Sequence, residues 1–219
     1  DGDGDPDVVS ASENSDRIYW HANDGAGNFA PFPIRVGTPQ GILDFAKSVR
    51  LSALAGDGDL DVVYASEDHN QVGIFLNNGA HPPQFTDRVL GTDRIHIKHV
   101  NAADLDRDGD MDVLAASADD DAVAWYRNNG AADPDFAPFV VTNGADGARF
   151  VHVADLDSDG DLDLLAASRN NGQVVWFRNR LIHRTAHFPA QASIPAHATS
   201  TPLTLTATAT ATSSRSRAR

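Results

Sequence analysis

Two nine-residue stretches place carboxylates where they can converge on one point. Asp104, Asp106, Asp108, Asp110 and Asp112 form one, with Gly109 inside it. Asp155, Asp157, Asp159, Asp161 and Asp163 form the other, with Gly160 inside it. Counted from the first Asp, side-chain ligands fall at positions 1, 3, 5 and 9 of each loop. Position 6 is glycine, where the chain must turn sharply, and position 7 can offer its main-chain carbonyl. Several oxygens around one point suit a hard cation of flexible geometry. Mg²⁺ prefers a tight octahedron with several waters, so Ca²⁺ is the expected ion. A bare strand is excluded, because five like charges on one strand face would repel one another. A merely solvated acidic turn is the plain alternative, and the agreement of two loops at positions 1, 3, 5, 6 and 9 weighs against it.

Related ion sites do not fit. An EF-hand needs a bidentate Glu at position 12 and flanking helices, but position 12 is Ala115 or Ala166, inside an expected strand. Histidine, which would suggest Zn²⁺, is missing from both loops. Two further copies are incomplete. One keeps Asp57, Gly58, Asp59 and Asp61, but Ala53 and Ala55 stand at positions 1 and 3. Weak binding or none is expected there. The other holds Asp1, Asp3, Asp5 and Asp7 and begins at position 3. An N-terminus inside a ligand loop leads us to expect that the chain was cut from a longer one.

The loops belong to a repeat. Asp-Gly-Asp-x-Asp begins at Asp3, Asp57, Asp108 and Asp159, at intervals of 54, 51 and 51 residues. Each copy is followed by a short apolar run (VVSAS, VVYAS, VLAAS, LLAAS) and then by a β-branched and aromatic one (RIYWHAN, QVGIFLN, AVAWYRN, QVVWFRN). The segments 97–104 and 149–155 alternate and lead into the loops, and 138–142 reads as a further strand. Asn-Asn-Gly at 77–79 and 128–130 signals turns that need positive φ. No segment longer than a few residues has the helical period of apolar residues. Four strands per unit of some fifty residues define a β-propeller blade. A β-helix coil needs fewer residues per turn, and isolated hairpins would not be stable. The expected fold is all-β, with four-stranded antiparallel blades and about three and a half of them present. We expect a partial blade over 1–45, whole blades over 46–95 and 96–147, a partial blade over 148–180, and a low-complexity, disordered tail over 181–219. That count gives fourteen strands, three of them in the last blade, and an open arc.

Composition narrows the function. The chain has 219 residues and a formal net charge of −14. Residues 181–219 hold Arg184, Arg215, Arg217 and Arg219 and no acid, so the acidic excess lies in the first 180 residues. So acidic a body repels phosphate backbones, which argues against nucleic-acid partners. No apolar run is long enough to span a membrane. With no cysteine, disulfides and thiolate metal sites are excluded.

VADLDSDGDLDLLAAS (153–168), AADLDRDGDMDVLAAS (102–117) and the WYRNNG and WFRN segments resemble the FG-GAP/VCBS repeats. Such repeats occur in the integrin α-chain propeller and in secreted microbial and algal proteins. The resemblance implies a propeller whose acidic loops join the first two strands of a blade and are rigidified by Ca²⁺. It implies the ten Asp of the two complete loops as ligands and an extracellular or cell-surface setting. It is nearly silent about activity. The expected function is a non-catalytic calcium-binding module for binding, adhesion or scaffolding, with an unspecified protein or carbohydrate partner. A polysaccharide-lyase-like enzyme is one alternative, but His96, His99 and His152 share no repeat position and no general base stands out. A lectin is the other. Trp20, Trp125 and Trp176 recur in register, with Phe75 read as their counterpart in the second unit, and regular recurrence favours packing between blades.

Overall fold

Apolar runs of five to seven residues, bounded by turn residues, become strands throughout. The computed structural model describes residues 1–13, 15, 17–34, 46–180, 186, 188 and 191–195. Among these there are fifteen strands in four sheets and no helix. The first sheet is β1 (Val8–Ser12), β2 (Arg17–Asn23) and β3 (Phe29–Pro33). The second is β4 (Ala46–Ser52), β5 (Asp61–Ser66), β6 (Gln71–Asn77) and β7 (Phe85–Gly91). The third is β8 (Ile97–Ala103), β9 (Asp112–Ser117), β10 (Ala122–Asn128) and β11 (Phe136–Thr142). The fourth is β12 (Ala148–Ala154), β13 (Asp163–Ser168), β14 (Gln173–Phe177) and β15 (Gln191–Pro195). Neighbours in each sheet are consecutive in the chain and antiparallel, which is the blade expected from the repeat.

The last sheet differs from expectation. Its outer strand is Gln191–Pro195, which pairs with β14 from Phe177↔Gln191 to Gln173↔Pro195. The sheet therefore has four strands rather than three, and the described residues form fifteen rather than fourteen. QASIP lacks the aromatic residues of the other outer strands and lies in a stretch rich in Ala, Ser, Thr and Pro, so it reads as tail. Most of the expected disordered tail, with its arginines, lies outside the described residues.

The period of two along each strand sorts side chains between interfaces. On β9, Val113 and Ala115 enter the core between the second and third sheets, while Leu114 and Ala116 enter the core between the third and fourth. On β5, Val63 and Ala65 face the third sheet, and Val62 and Tyr64 face the first. Such middle strands are buried on both faces, which is why they read as unbroken apolar runs. The three cores each lie between consecutive sheets, and the four sheets form an arc that does not close.

Trp20 and Trp125 belong to these cores, while Trp176 is half-buried. Trp20 is 7% exposed and Trp125 2%, which favours packing over a sugar platform. Strand register corrects their counterpart in the second sheet. Val9 pairs with Trp20, Val63 with Ile74, Leu114 with Trp125 and Leu165 with Trp176, so the residue in that place is Ile74, not Phe75. Phe75 points to the opposite face, as Tyr126 and Phe177 do, toward the preceding sheet. Matching by residue type missed a one-residue offset that reverses the face.

One glycine permits a close approach. A Cβ on Gly73 would lie 2.4 Å from the ring and hydroxyl of Tyr64. Tyr64 is fully buried, stacks on Phe75 at 4.7 Å and donates a 2.9 Å hydrogen bond to Asp87. Gly73→Ala is therefore expected to lower unfolding stability by about 1–3 kcal/mol, as overpacked cores do. Urea denaturation checks this, and an unchanged midpoint would contradict the packing described.

Candidate metal centre

Each acidic loop joins the first two strands of its sheet and turns back sharply. Gly109 and Gly160 at position 6 have φ of 97° and 92°, a conformation glycine adopts without strain. The loops are laced by their own carboxylates. Asp104 accepts from the main-chain N–H of Asp108 at 3.2 Å and of Gly109 at 3.0 Å. Asp108 accepts from Asp110 N–H at 3.1 Å. In the other loop, Asp155 accepts from Gly160 N–H at 3.0 Å, and Asp159 from Asp161 N–H at 3.0 Å.

The five acids of each loop divide by task. Ligand oxygens of Asp104, Asp106 and Asp108 lie within 4.8 Å of one another, and so do those of Asp155, Asp157 and Asp159. Asp110 turns instead toward the following hairpin, where its carboxylate would meet any Cβ on Gly130. Asp161 faces the neighbouring loop and takes a 3.2 Å ion pair from Arg107. Position 9 is a structural pin. Asp112 is buried and accepts from Asn128 N–H at 2.8 Å and Leu105 N–H at 3.1 Å. Asp163 accepts from Asn179 N–H at 2.7 Å and Leu156 N–H at 3.2 Å.

The incomplete loops keep the pin and lose the cluster. Asp61 accepts from Asn77, Leu54 and Ala55 N–H, at 2.9, 2.7 and 3.2 Å. Asp7 accepts from Asn23 N–H at 2.8 Å and from the Trp20 indole at 2.9 Å. Asp57 and Asp3 serve only the local turns, accepting from Asp59 N–H at 3.1 Å and Asp5 N–H at 2.9 Å. Asp1 accepts from Asp3 N–H at 3.2 Å, and Asp5 and Asp59 lie against Gly25 and Gly79. Neither loop brings three acids together among the described residues.

Two arginines complete the site, and the sequence reading missed them. Arg127 Nε lies 2.6 Å from Asp106, and its terminal nitrogen 3.2 Å from Asp108. Arg178 pairs in the same way with Asp157, and with Asp159 at 3.1 Å. The signal was present: Arg precedes the pinned Asn in both complete repeats, where Ala22 and Leu76 stand in the others. Asp106 is wholly buried, and neither of its oxygens receives a well-aligned hydrogen bond. Desolvation, then the nearby Asp108 charge, pushes its carboxyl up against the pull of Arg127. Burial raises Asp112 to about 7 against its main-chain hydrogen bonds. Main-chain donation from Asp161 leads in holding Asp159 below the usual carboxylate range.

A third acidic group, Glu67 with Asp68 and His96, sits at the opposite ends of the strands. Lys47 and Lys98 both pair with Glu67, so it reads as an ion-pair cluster. β-bulges on β4 and β8 present those lysines. His99 is buried against Phe150 at 4.0 Å, and burial, then Arg50, lowers its pKa to about 4.

The four-stranded sheets stacked through shared cores define a propeller-type repeat protein. A family profile described as FG-GAP-like repeat matches residues 1–46, 54–115 and 104–166. The chain belongs to the FG-GAP-like repeat family. No curated protein shows significant sequence similarity to it. Among solved structures it is similar to a putative 6-phosphogluconolactonase from Bacteroides uniformis ATCC 8492, at 14% identity and a TM-score of 0.58. That similarity covers 87% of this chain and 55% of the other, so the chain spans little more than half its length. At this identity the likeness shows the fold alone. No helix is long and apolar enough to cross a membrane among the described residues.

The arginine contacts make a metal-free prediction. In chelator, Arg127→Ala leaves buried Asp106 without its counter-charge. The half-exposed guanidinium tempers the effect, to a destabilisation of about 1–2 kcal/mol. Adding Asp106→Asn should recover part of the loss. Denaturant unfolding of the double-mutant cycle tests this, and additive effects would remove the ion pair from the account.

Proposed function

We propose that the chain is a calcium-binding propeller module of a larger extracellular or cell-surface protein. It acts in binding, adhesion or scaffolding rather than catalysis, and Ca²⁺ is structural. One observation carries the reading: Asp106 is buried without a well-aligned hydrogen bond amid three converging carboxylates. Arg127 offsets only one of the three negative charges gathered there, and a buried carboxylate is costly unless the remaining charge is compensated too. The same three positions converge again in the next repeat. Asp104, Asp106 and Asp108 would supply side-chain oxygens to one ion, and Asp155, Asp157 and Asp159 to another. Within the wider ligand sets expected from the sequence, Asp112 and Asp163 have lone pairs left beyond their main-chain bonds, and residues 110 and 161 can offer carbonyls. The arginines would hold the loops when the ion is absent. We place the blades at 1–45, 46–95, 96–147 and from 148 onward.

An enzymatic reading is favoured by one fact, the lactonase name of the structural neighbour. Against it, His99 is buried on Phe150, so it is not poised as a base.

Calorimetric titration should find two Ca²⁺ per chain. Asp108→Ala and Asp159→Ala should each remove one, and unchanged stoichiometry in both variants would refute the assignment. Chelation should also lower the melting temperature, with Mg²⁺ restoring it poorly. The expected stabilisation is about 2.7 kcal/mol at a hundredfold excess of Ca²⁺ over Kd. A melting curve indifferent to chelator would contradict a structural ion.

A further inference from the structure

The carboxylates that would face an ion already share their oxygens with a cation of the chain itself. Asp108 gives one oxygen to the Asp110 N–H and the other to the Arg127 guanidinium, at 3.2 Å. Asp106 faces Arg127 Nε at 2.6 Å, and neither of its oxygens has a well-aligned hydrogen bond. The second complete loop repeats the pattern. Asp159 gives one oxygen to the Asp161 N–H and the other to Arg178, at 3.1 Å. Asp157 gives one to the Asp159 N–H at 3.3 Å and the other to Arg178 Nε. At Asp108, Asp157 and Asp159, the oxygen that the turn leaves over is the one the arginine holds. Each arginine is fixed at its root and free at its tip. The N–H of the next residue, Asn128 or Asn179, is held by the pin carboxylate at 2.8 or 2.7 Å. The side chains of Arg127 and Arg178 are 35% and 38% exposed, so a guanidinium can swing into solvent without moving its strand.

Resting on the calcium reading above, we propose that Arg127 and Arg178 are tethered competitors for Ca²⁺, each setting the affinity of its own loop. A guanidinium and a dication on the same two carboxylates repel each other. Ca²⁺ therefore enters as the arginine withdraws, and the free energy of the arginine pair is subtracted from that of ion binding. The arginine stabilises the loop when Ca²⁺ is scarce and raises the concentration at which the loop fills. The opposite role is an arginine that shapes the loop for the ion, and its removal would weaken binding. The second repeat argues against that role. Leu76 stands in the arginine's place there, yet the loop keeps the same turn. Gly58 has a φ of 96° where Gly109 has 97°, and Asp57 accepts the Asp59 N–H at 3.1 Å as Asp108 accepts that of Asp110. The turn is set by main-chain hydrogen bonds and needs no arginine.

The test titrates the full chain with Ca²⁺ by calorimetry in the Asp159→Ala background, where the first complete loop is the site left. Adding Arg127→Ala should tighten Ca²⁺ binding about tenfold, in keeping with a charge pair at a partly buried site. Arg127→Gln should do the same, since it keeps a hydrogen-bond donor and removes the charge. If Arg127→Ala fails to fold, Arg127→Gln decides, and Arg178→Gln in the Asp108→Ala chain asks the same of the other loop. In the parent chain, the Nε–H resonances of Arg127 and Arg178 should shift as Ca²⁺ saturates. Equal or weaker Ca²⁺ binding in the arginine variants would overturn the proposal and leave the calcium sites standing. Absence of Ca²⁺ binding in the parent and in every variant would overturn the calcium reading, and this proposal with it. An arginine variant that binds Ca²⁺ where its parent does not would support the competition directly.

Discussion

Everything in this fold hangs on a buried carboxylate. A charge inside a protein is tolerated only where hydrogen bonds replace the water it has lost. Asp61, Asp112 and Asp163 are each buried and each accept main-chain N–H groups from two separate segments. One segment is the loop that precedes the second strand of the sheet. The other is the end of the third strand, at Asn77, Asn128 or Asn179. A single side chain thereby closes the loop and fixes the third strand beside it. The Asn it holds then extends outward, and Asn128 and Asn179 bond the leucine carbonyl of the preceding sheet. Local closure and the stacking of one sheet on the next are two ends of the same hydrogen-bonded chain.

This explains why the acidic loops are uneven in composition yet alike in shape. Position 9 is retained in all four repeats, including the second, where positions 1 and 3 are alanine. The pin serves the fold whether or not an ion is held. The cluster at positions 1, 3 and 5 is a separate layer, added where an arginine from the third strand stands opposite. Arg127 and Arg178 pair with the second and third carboxylates of their loops, and the repeats without the cluster have no arginine there.

Most of the architecture was legible in the sequence because its signals are local. The spacing of Asp-Gly-Asp-x-Asp, the alternation in each strand and the Asn-Asn-Gly turns all lie within a few residues of what they specify. What escaped was non-local. The arginines act on acids nineteen and twenty-one residues earlier, a separation set by the return of the chain along β9 and β10. Pin and cluster carboxylates are identical letters, and only hydrogen-bond partners distinguish them. Residue type misled where register decides, as at Phe75 and Ile74. The strand Gln191–Pro195 shows the limit of pattern reading: at an outer position, main-chain pairing with β14 recruits a short segment without the aromatic residues of the other outer strands.

The bond from each asparagine to the leucine carbonyl has a direction. Asn128 and Asn179 both reach back 74 residues, to a sheet earlier in the chain. During synthesis, each acceptor has already left the ribosome when its donor emerges. A new sheet can then dock on a finished one without waiting for chain not yet made. Chains fold N-terminal first during synthesis, and unpaired edges exposed meanwhile are prone to aggregate. The polarity of one hydrogen bond thus matches the order of translation, and the arc can grow as it is made, one blade laid against the last.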